Sequence, residues 1–232
     1  MKIFSAFIGI MSAYSAVTAH AQTTPASHPA VLELFTSQGC SSCPPADKIV
    51  SSYADNAGVL VLSYHVNYWD YLGWKDPYSS AENTERQREY AAYLRARNVY
   101  TPQVIIQGKY DVVGSNRAAL QSALVKATKQ PQWHEPHLTR DNGGLKIQLS
   151  EAQGIDAILL VVGFQKHSTN GVARGENAGE QLSHRNSVTS TTSLGVWNGK
   201  PLTKSFALPK GDGAAILIQS RETGEIIGAG WL

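Results

Sequence analysis

The sequence predicts an α/β N-terminal domain followed by an all-β, sandwich-like C-terminal domain. Three observations predict it. Residues 30–130 alternate apolar strand runs with helical ones, the order of strand–helix–strand units. The only two cysteines, Cys40 and Cys43, fall in the turn between the first strand and the first helix. Residues 134–232 carry only short alternating strands and glycine-rich turns, the texture of a small sandwich. The boundary lies near Lys129 to His134.

Residues 1–21 precede this plan. Lys2, the apolar run Ile3 to Met11, and the small-x-small ending Ala19-His20-Ala21 read as a signal peptide cut before Gln22. The run falls short of the ~20 residues a membrane span needs. The mature chain is therefore expected to be periplasmic or secreted, with no membrane insertion after cleavage. Twenty basic residues, one of them in the leader, stand against 18 acidic. That balance gives no reason to expect a nucleic-acid partner.

The elements follow in order. Val31 to Phe35 is a short apolar strand. A helix runs from about Pro44 to Ala54, since prolines suit a first turn, where amides have no internal partner. Val59 to Tyr64 is a continuous apolar run, the mark of a strand covered on both faces. Ser79 and Glu82 have capping-box spacing, so a second helix should run to about Arg97. Val104-Ile105-Ile106 and Tyr110 to Val113 bracket Gln107-Gly108-Lys109 as a hairpin, and Ser115 can cap a last helix. Beyond Pro131, strands are expected at Leu145 to Leu149, Ala157 to Phe164, Ser187 to Leu194, Ala214 to Gln219 and Ile226 to Trp231.

The cysteine spacing admits three chemistries. A cross-link stabilises chiefly by closing a long loop in the unfolded chain, and Cys40 and Cys43 enclose only two residues. As a redox dithiol, Cys40 at the helix start would be the attacking thiolate and Cys43, one turn in, the resolving thiol. As metal ligands, the pair is half a tetrahedral site, with His65 best placed to join it in binding copper(I) or zinc. The third reading is an inert pair in a non-catalytic binding protein. The redox dithiol is the leading reading, because CxxC beside a strand–helix–strand pattern is a recognised signature.

The order of elements around this CxxC resembles the thioredoxin fold. Thr101-Pro102 ahead of the hairpin adds to it, since that superfamily carries a cis-proline beside the cysteine pair. More narrowly, "ELFTSQGCSSCPPAD", "YHVNYWDYLGWKDPYSS", "TERQREYA", "VYTPQVIIQGK" and "RGENAGEQLSHRN" resemble the bacterial exported domain-of-unknown-function family 1223. The resemblance implies a thioredoxin-like domain with Pro102 lying against the cysteines and Thr101 bordering a substrate. One departure stands out. Thioredoxins carry a buried aspartate six residues before the first cysteine, and here that position is Leu34. The chain is expected to be a thiol–disulfide oxidoreductase with no cofactor beyond its own dithiol. Its partners would be exported cysteine-containing proteins and a system that resets it.

The stretch "HVNYWDYLGW" follows the second strand, whose carboxyl end should open beside the first. His65, Tyr68, Trp69, Asp70, Tyr71 and Trp74 are expected there beside Cys40 as a substrate platform, with His65 or Asp70 moving a proton. Two further groups read as plain solvated surface. They are Arg174, Glu176, Asn177, His184 and Asn186 in a polar hairpin loop and its flanks, and Arg86, Arg88, Arg95 and Arg97 on the second helix.

Overall fold

Ala30–Thr36 (β1) and Val59–His65 (β2) are apolar at five of seven positions each and buried on both faces. They pair in parallel, in register from Ala30 opposite Val59 to Thr36 opposite His65. The crossover between them is α1, Cys43–Ser51, with its prolines in the first turn. These assignments come from a computed structural model, which describes residues 28–130 and 132–232. The expected signal peptide lies outside the described residues.

The second helix, α2, spans Ala81–Tyr93 and is capped by Ser80, whose hydroxyl accepts the Asn83 amide at 3.1 Å. The expected cap, Ser79, is one residue early because its hydroxyl is taken by Asp70 at 2.7 Å. The hairpin forms as β3 (Gln103–Ile106) and β4 (Tyr110–Val113). Helix α3, Arg117–Ala127, is capped by Asn116 rather than Ser115. Beyond residue 131 the described residues contain no helix. Seven strands follow: β5 (His137–Asp141), β6 (Gly144–Leu149), β7 (Ala157–Gly171), β8 (Gln181–Trp197), β9 (Leu202–Ala207), β10 (Gly213–Ser220) and β11 (Ile226–Trp231). No helix among the described residues is long and apolar enough to cross a membrane.

The arrangement of these strands overturns the expected fold class. A thioredoxin-like α/β domain with a separate sandwich would end one sheet at β2 and start another beyond residue 134. Instead a single mixed sheet runs β11-β10-β7-β8-β2-β1-β3-β4 through both halves. Strand makes up 43% of the structure against 18% helix, so the protein is mostly β. The joint is β8, which lies parallel to β2 with Ser187 opposite Ser63. Strand periodicity shows that a segment is extended, but not which open edge it joins, so local pattern could not reveal this docking.

The core follows the sheet. One buried cluster combines Val31, Phe35, Leu62 and Ile105 with Leu160, Val162, Leu217 and Ala229, uniting residues from both halves. The sheet curls until the Ile226 amide donates to the Gln107 carbonyl at 2.9 Å, bringing β11 to the β3–β4 turn. There Gly108, at φ +65°, packs against the Gly224 carbonyl with no room for a side chain. On the opposite face of β1–β3, Leu32, Leu34 and Val104 pack under α1 and α3. The small sheet β5-β6-β9 lays Ile147 and Leu149 against β7 and β10.

One expected surface residue is interior. Arg86 of α2 is 5% exposed and pairs with the buried Glu33 of β1 at 2.6 Å. It also donates to Tyr90 and Gln219 at 2.9 and 3.3 Å. Arg86→Ala would strand that carboxylate, and breaking a buried pair costs about 3–5 kcal/mol. Urea unfolding should register a loss of that order. A loss below about 1 kcal/mol, the value of surface pairs, would contradict the packing described.

Candidate functional site

The turn Ser37–Ser42 leaves the carboxyl end of β1 and enters α1. Cys43 is the first residue of that helix, and Cys40 sits in the turn before it. The two are joined by a disulfide, and neither has accessible surface. Ser41 and Ser42 between them are exposed.

Two covers lie over this turn. The first comes from the aromatic segment and the loop before β3. Thr101 donates its hydroxyl to Cys40 Sγ at 3.3 Å, and the Trp69 indole donates to that hydroxyl at 2.8 Å. The Trp74 indole donates to Gln38 Oε1 at 3.1 Å. The Thr101–Pro102 bond is cis, and Pro102 is buried. Trp69 and Thr101 are thus brought to Cys40, and Trp74 to Gln38 two residues before it. Asp70 is not among them, because its carboxylate ties down its own loop through Ser79 and the Asp76 amide. Tyr71 is 79% exposed and reaches nothing in the site.

The second cover is the end of a long β7–β8 arm, which the expected solvated loop turns out to be. The Asn177 amide donates to the carbonyls of Gln38 and Cys40 at 2.9 and 3.0 Å. Glu176 accepts the Ser41 amide at 2.9 Å, and those Ser41 hydrogen bonds hold its carboxyl below the usual range.

Beneath the turn lie two buried histidine–aspartate pairs. His65, at the end of β2, meets Asp76 at 2.7 Å, and His184, on β8, meets Asp47 of α1 at 3.2 Å. Their rings stand edge to face, 4.6 Å between centroids. Gln38 links them, its backbone amide donating to Asp76 at 2.7 Å and its side-chain amide to His184 Nε2 at 3.2 Å. With Nε2 accepting, the His184 proton sits on Nδ1 and faces Asp47. Burial presses the His65 imidazole down, but the Asp76 carboxylate and the more distant Asp47 reverse this, and the net direction is up. For Asp76, burial pushes up, yet His65 and the amides of Gln38 and Tyr78 hold it below the ordinary carboxylate value.

Between α1 and the arm runs a cleft of about 630 Å³, whose lining includes Asp47, Lys48, His167, His184 and Arg185. Among the described residues no group of three or more His, Cys, Asp and Glu side chains is arranged to hold a metal. Sequence reasoning missed Gln38, Asp47, Asp76, Asn177 and His184. Only Asp47 had a local signal, since four residues on a helix place it on the face of Cys43.

The family model described as "Protein of unknown function (DUF1223)" matches residues 31–219. The chain belongs to this family. No curated protein resembles the chain closely enough to count as a match. Among solved structures, this DUF1223 chain is similar to protein AGR_C_4864 from Agrobacterium tumefaciens, at 34% identity and a TM-score of 0.77. That likeness covers 89% of this chain and 94% of the other, so it extends through both halves of the long sheet.

The pKa directions set a pH window. His65 is raised above the ordinary imidazole value of 6.5, so its contribution to stability is complete below that value and is lost as pH rises through the folded one. Asp76 is lowered from 3.8, so its contribution is complete above that value and is lost as pH falls through the folded one. Asp76→Asn should therefore cost most between about pH 4 and pH 6.5, roughly 3 kcal/mol for a broken buried pair. It should cost less at pH 9. Urea unfolding at both values measures this, and an equal cost at each would contradict a charged pair.

Proposed function

We propose that this protein is an exported thiol–disulfide oxidoreductase whose Cys40–Cys43 pair cycles between disulfide and dithiol. The observation that carries the reading is the setting of Cys40. Its sulfur lies in the turn that opens α1 and accepts a hydrogen bond from Thr101 at 3.3 Å. A hydroxyl donor and the free amides of a helix start both favour a thiolate over a thiol. The loop closed by the bond is too short for cross-linking to explain it. The reaction partners are cysteine-containing proteins or small thiols, together with a second redox system that resets the pair. The signal-like residues 1–21 support a periplasmic or secreted setting.

Both sulfurs are buried, so exchange requires the covers made by Trp69, Thr101 and Asn177 to open locally. The same burial favours a second reading, an inert cross-link in a binding protein. Equilibration against glutathione buffers separates the two. A catalytic pair should titrate as a two-electron couple between about −270 and −120 mV, the span of known exchange proteins. A pair still oxidised below about −300 mV behaves as structural and would favour the inert reading. In Cys43→Ser, the Cys40 thiol should ionise below the free-cysteine value of about 8.5. Tryptophan emission should also change on reduction, and Trp69→Phe should remove most of that change.

A further inference from the structure

The buried face of α1 carries Cys43, Ala46, Asp47 and Val50. Three of these are ordinary core choices, and Asp47 is not. It is 5% exposed, and its carboxylate is held by the Thr36 hydroxyl at 2.9 Å and by His184 at 3.2 Å. Among the described residues no arginine or lysine pairs with it, so it bears a desolvation cost that a packed apolar residue would avoid. It stands four residues after Cys43, one helical turn further along the same face. It also lines the cleft beside the arm, as His184 does, so this pair touches both the buried helix face and the way out.

We infer that Asp47, positioned by His184, carries the proton of Cys43 as the disulfide opens and closes, and exchanges it with solvent through the cleft. This rests on the redox reading above and names how that site handles protons. The steps balance. A partner thiol loses its proton, and its thiolate attacks Cys40 Sγ. The Cys40–Cys43 bond breaks, and its electron pair leaves on Cys43 Sγ. His184 relays a proton from the cleft side to the Asp47 carboxylate, which passes it to that thiolate and is a carboxylate again. A second partner thiol then attacks the mixed disulfide and releases Cys40, which takes up the second proton. Two partner thiols become one disulfide, and the protein's disulfide becomes two thiols. In the reverse direction Asp47 accepts the Cys43 proton and so creates the attacking thiolate.

The charged and titratable groups facing this pair come from each neighbouring element. His65, paired with Asp76, faces it from β2 and the loop beyond. Lys48 borders the cleft from α1, and His167 from β7. Arg185 borders it from β8 and is held by Asp55 at 2.5 Å. Asp47 is the one carboxylate among them on the face of Cys43.

The test has two arms. In Cys40→Ser, the ionisation of Cys43 is followed by thiolate absorbance. A nearby carboxylate disfavours thiolate, so adding Asp47→Asn should raise the thiolate-to-thiol ratio about tenfold at fixed pH. In the chain with both cysteines, reduction by dithiothreitol should slow roughly a hundredfold in Asp47→Asn and in His184→Gln, and its pH profile should flatten. Matching melting temperatures would show that the variants are folded. Should Asp47→Asn fail to fold, His184→Gln carries the rate measurement. In the unsubstituted chain, the His184 imidazole ¹⁵N resonances must also shift on reduction. Unchanged Cys43 ionisation, unchanged rate profiles, or unmoved resonances would each overturn the inference. If the unsubstituted disulfide exchanges and the substitutions leave ionisation, rate and pH profile unchanged, the redox reading stands and this inference alone falls. If the unsubstituted disulfide does not exchange at all, both fall.

Discussion

The parallel contact between Ser63 of β2 and Ser187 of β8 is the joint on which the rest of the structure depends. Through it, the C-terminal strands become a continuation of the N-terminal sheet. One buried cluster then contains residues from both halves, and it lies between a cluster confined to the N-terminal half and another confined to the C-terminal half. The same joint sets where the β7–β8 arm points. Beyond Ser187 toward the turn, β8 runs along α1, and its His184 meets Asp47. The turn itself reaches Cys40 through Asn177. The site is therefore a product of topology as much as of the cysteine motif.

That arrangement gives the disulfide an unusual setting. A reactive sulfur needs a route in, yet both sulfurs here are buried under hydrogen-bonded covers. Those covers are light. Trp69, Trp74 and Thr101 hold one side by single donor contacts, and Asn177 and Glu176 hold the other by three hydrogen bonds. Contacts of this kind contribute about 1 kcal/mol each, so a partner that replaces them can open the turn without disturbing the core. The histidine–aspartate pairs underneath are different, being buried, mutually linked and costly to break. The site thus combines a rigid polar floor with a lid that can yield.

Much of this was legible in the sequence, and what was not has a common physical cause. Continuous apolar runs marked β1 and β2, and prolines after Cys43 marked the start of α1, because both signals are local. Helix caps were displaced by one residue where a side chain found a tertiary partner, as Ser79 found Asp70. Trp69 and Thr101, expected near Cys40, are joined to it by a chain of two hydrogen bonds. Gln181 to Asn186 was not recognisable as strand. Its polarity reads as loop, but it arises from lining a cleft and a buried histidine–aspartate pair. Arg86 misled for a similar reason, since its carboxylate partner lies 53 positions away in the chain. Contacts between distant segments leave no periodicity to read, and this site is built mainly of them.

The central claim is that the C-terminal arm and the cysteine turn form one site. Amide hydrogen exchange, measured on oxidised and on reduced protein, tests it most directly. The account predicts that reduction changes protection at residues 38–43 and also at residues 172–186, more than a hundred positions further along the chain. A change confined to residues 38–43, with the arm unaltered, would contradict it.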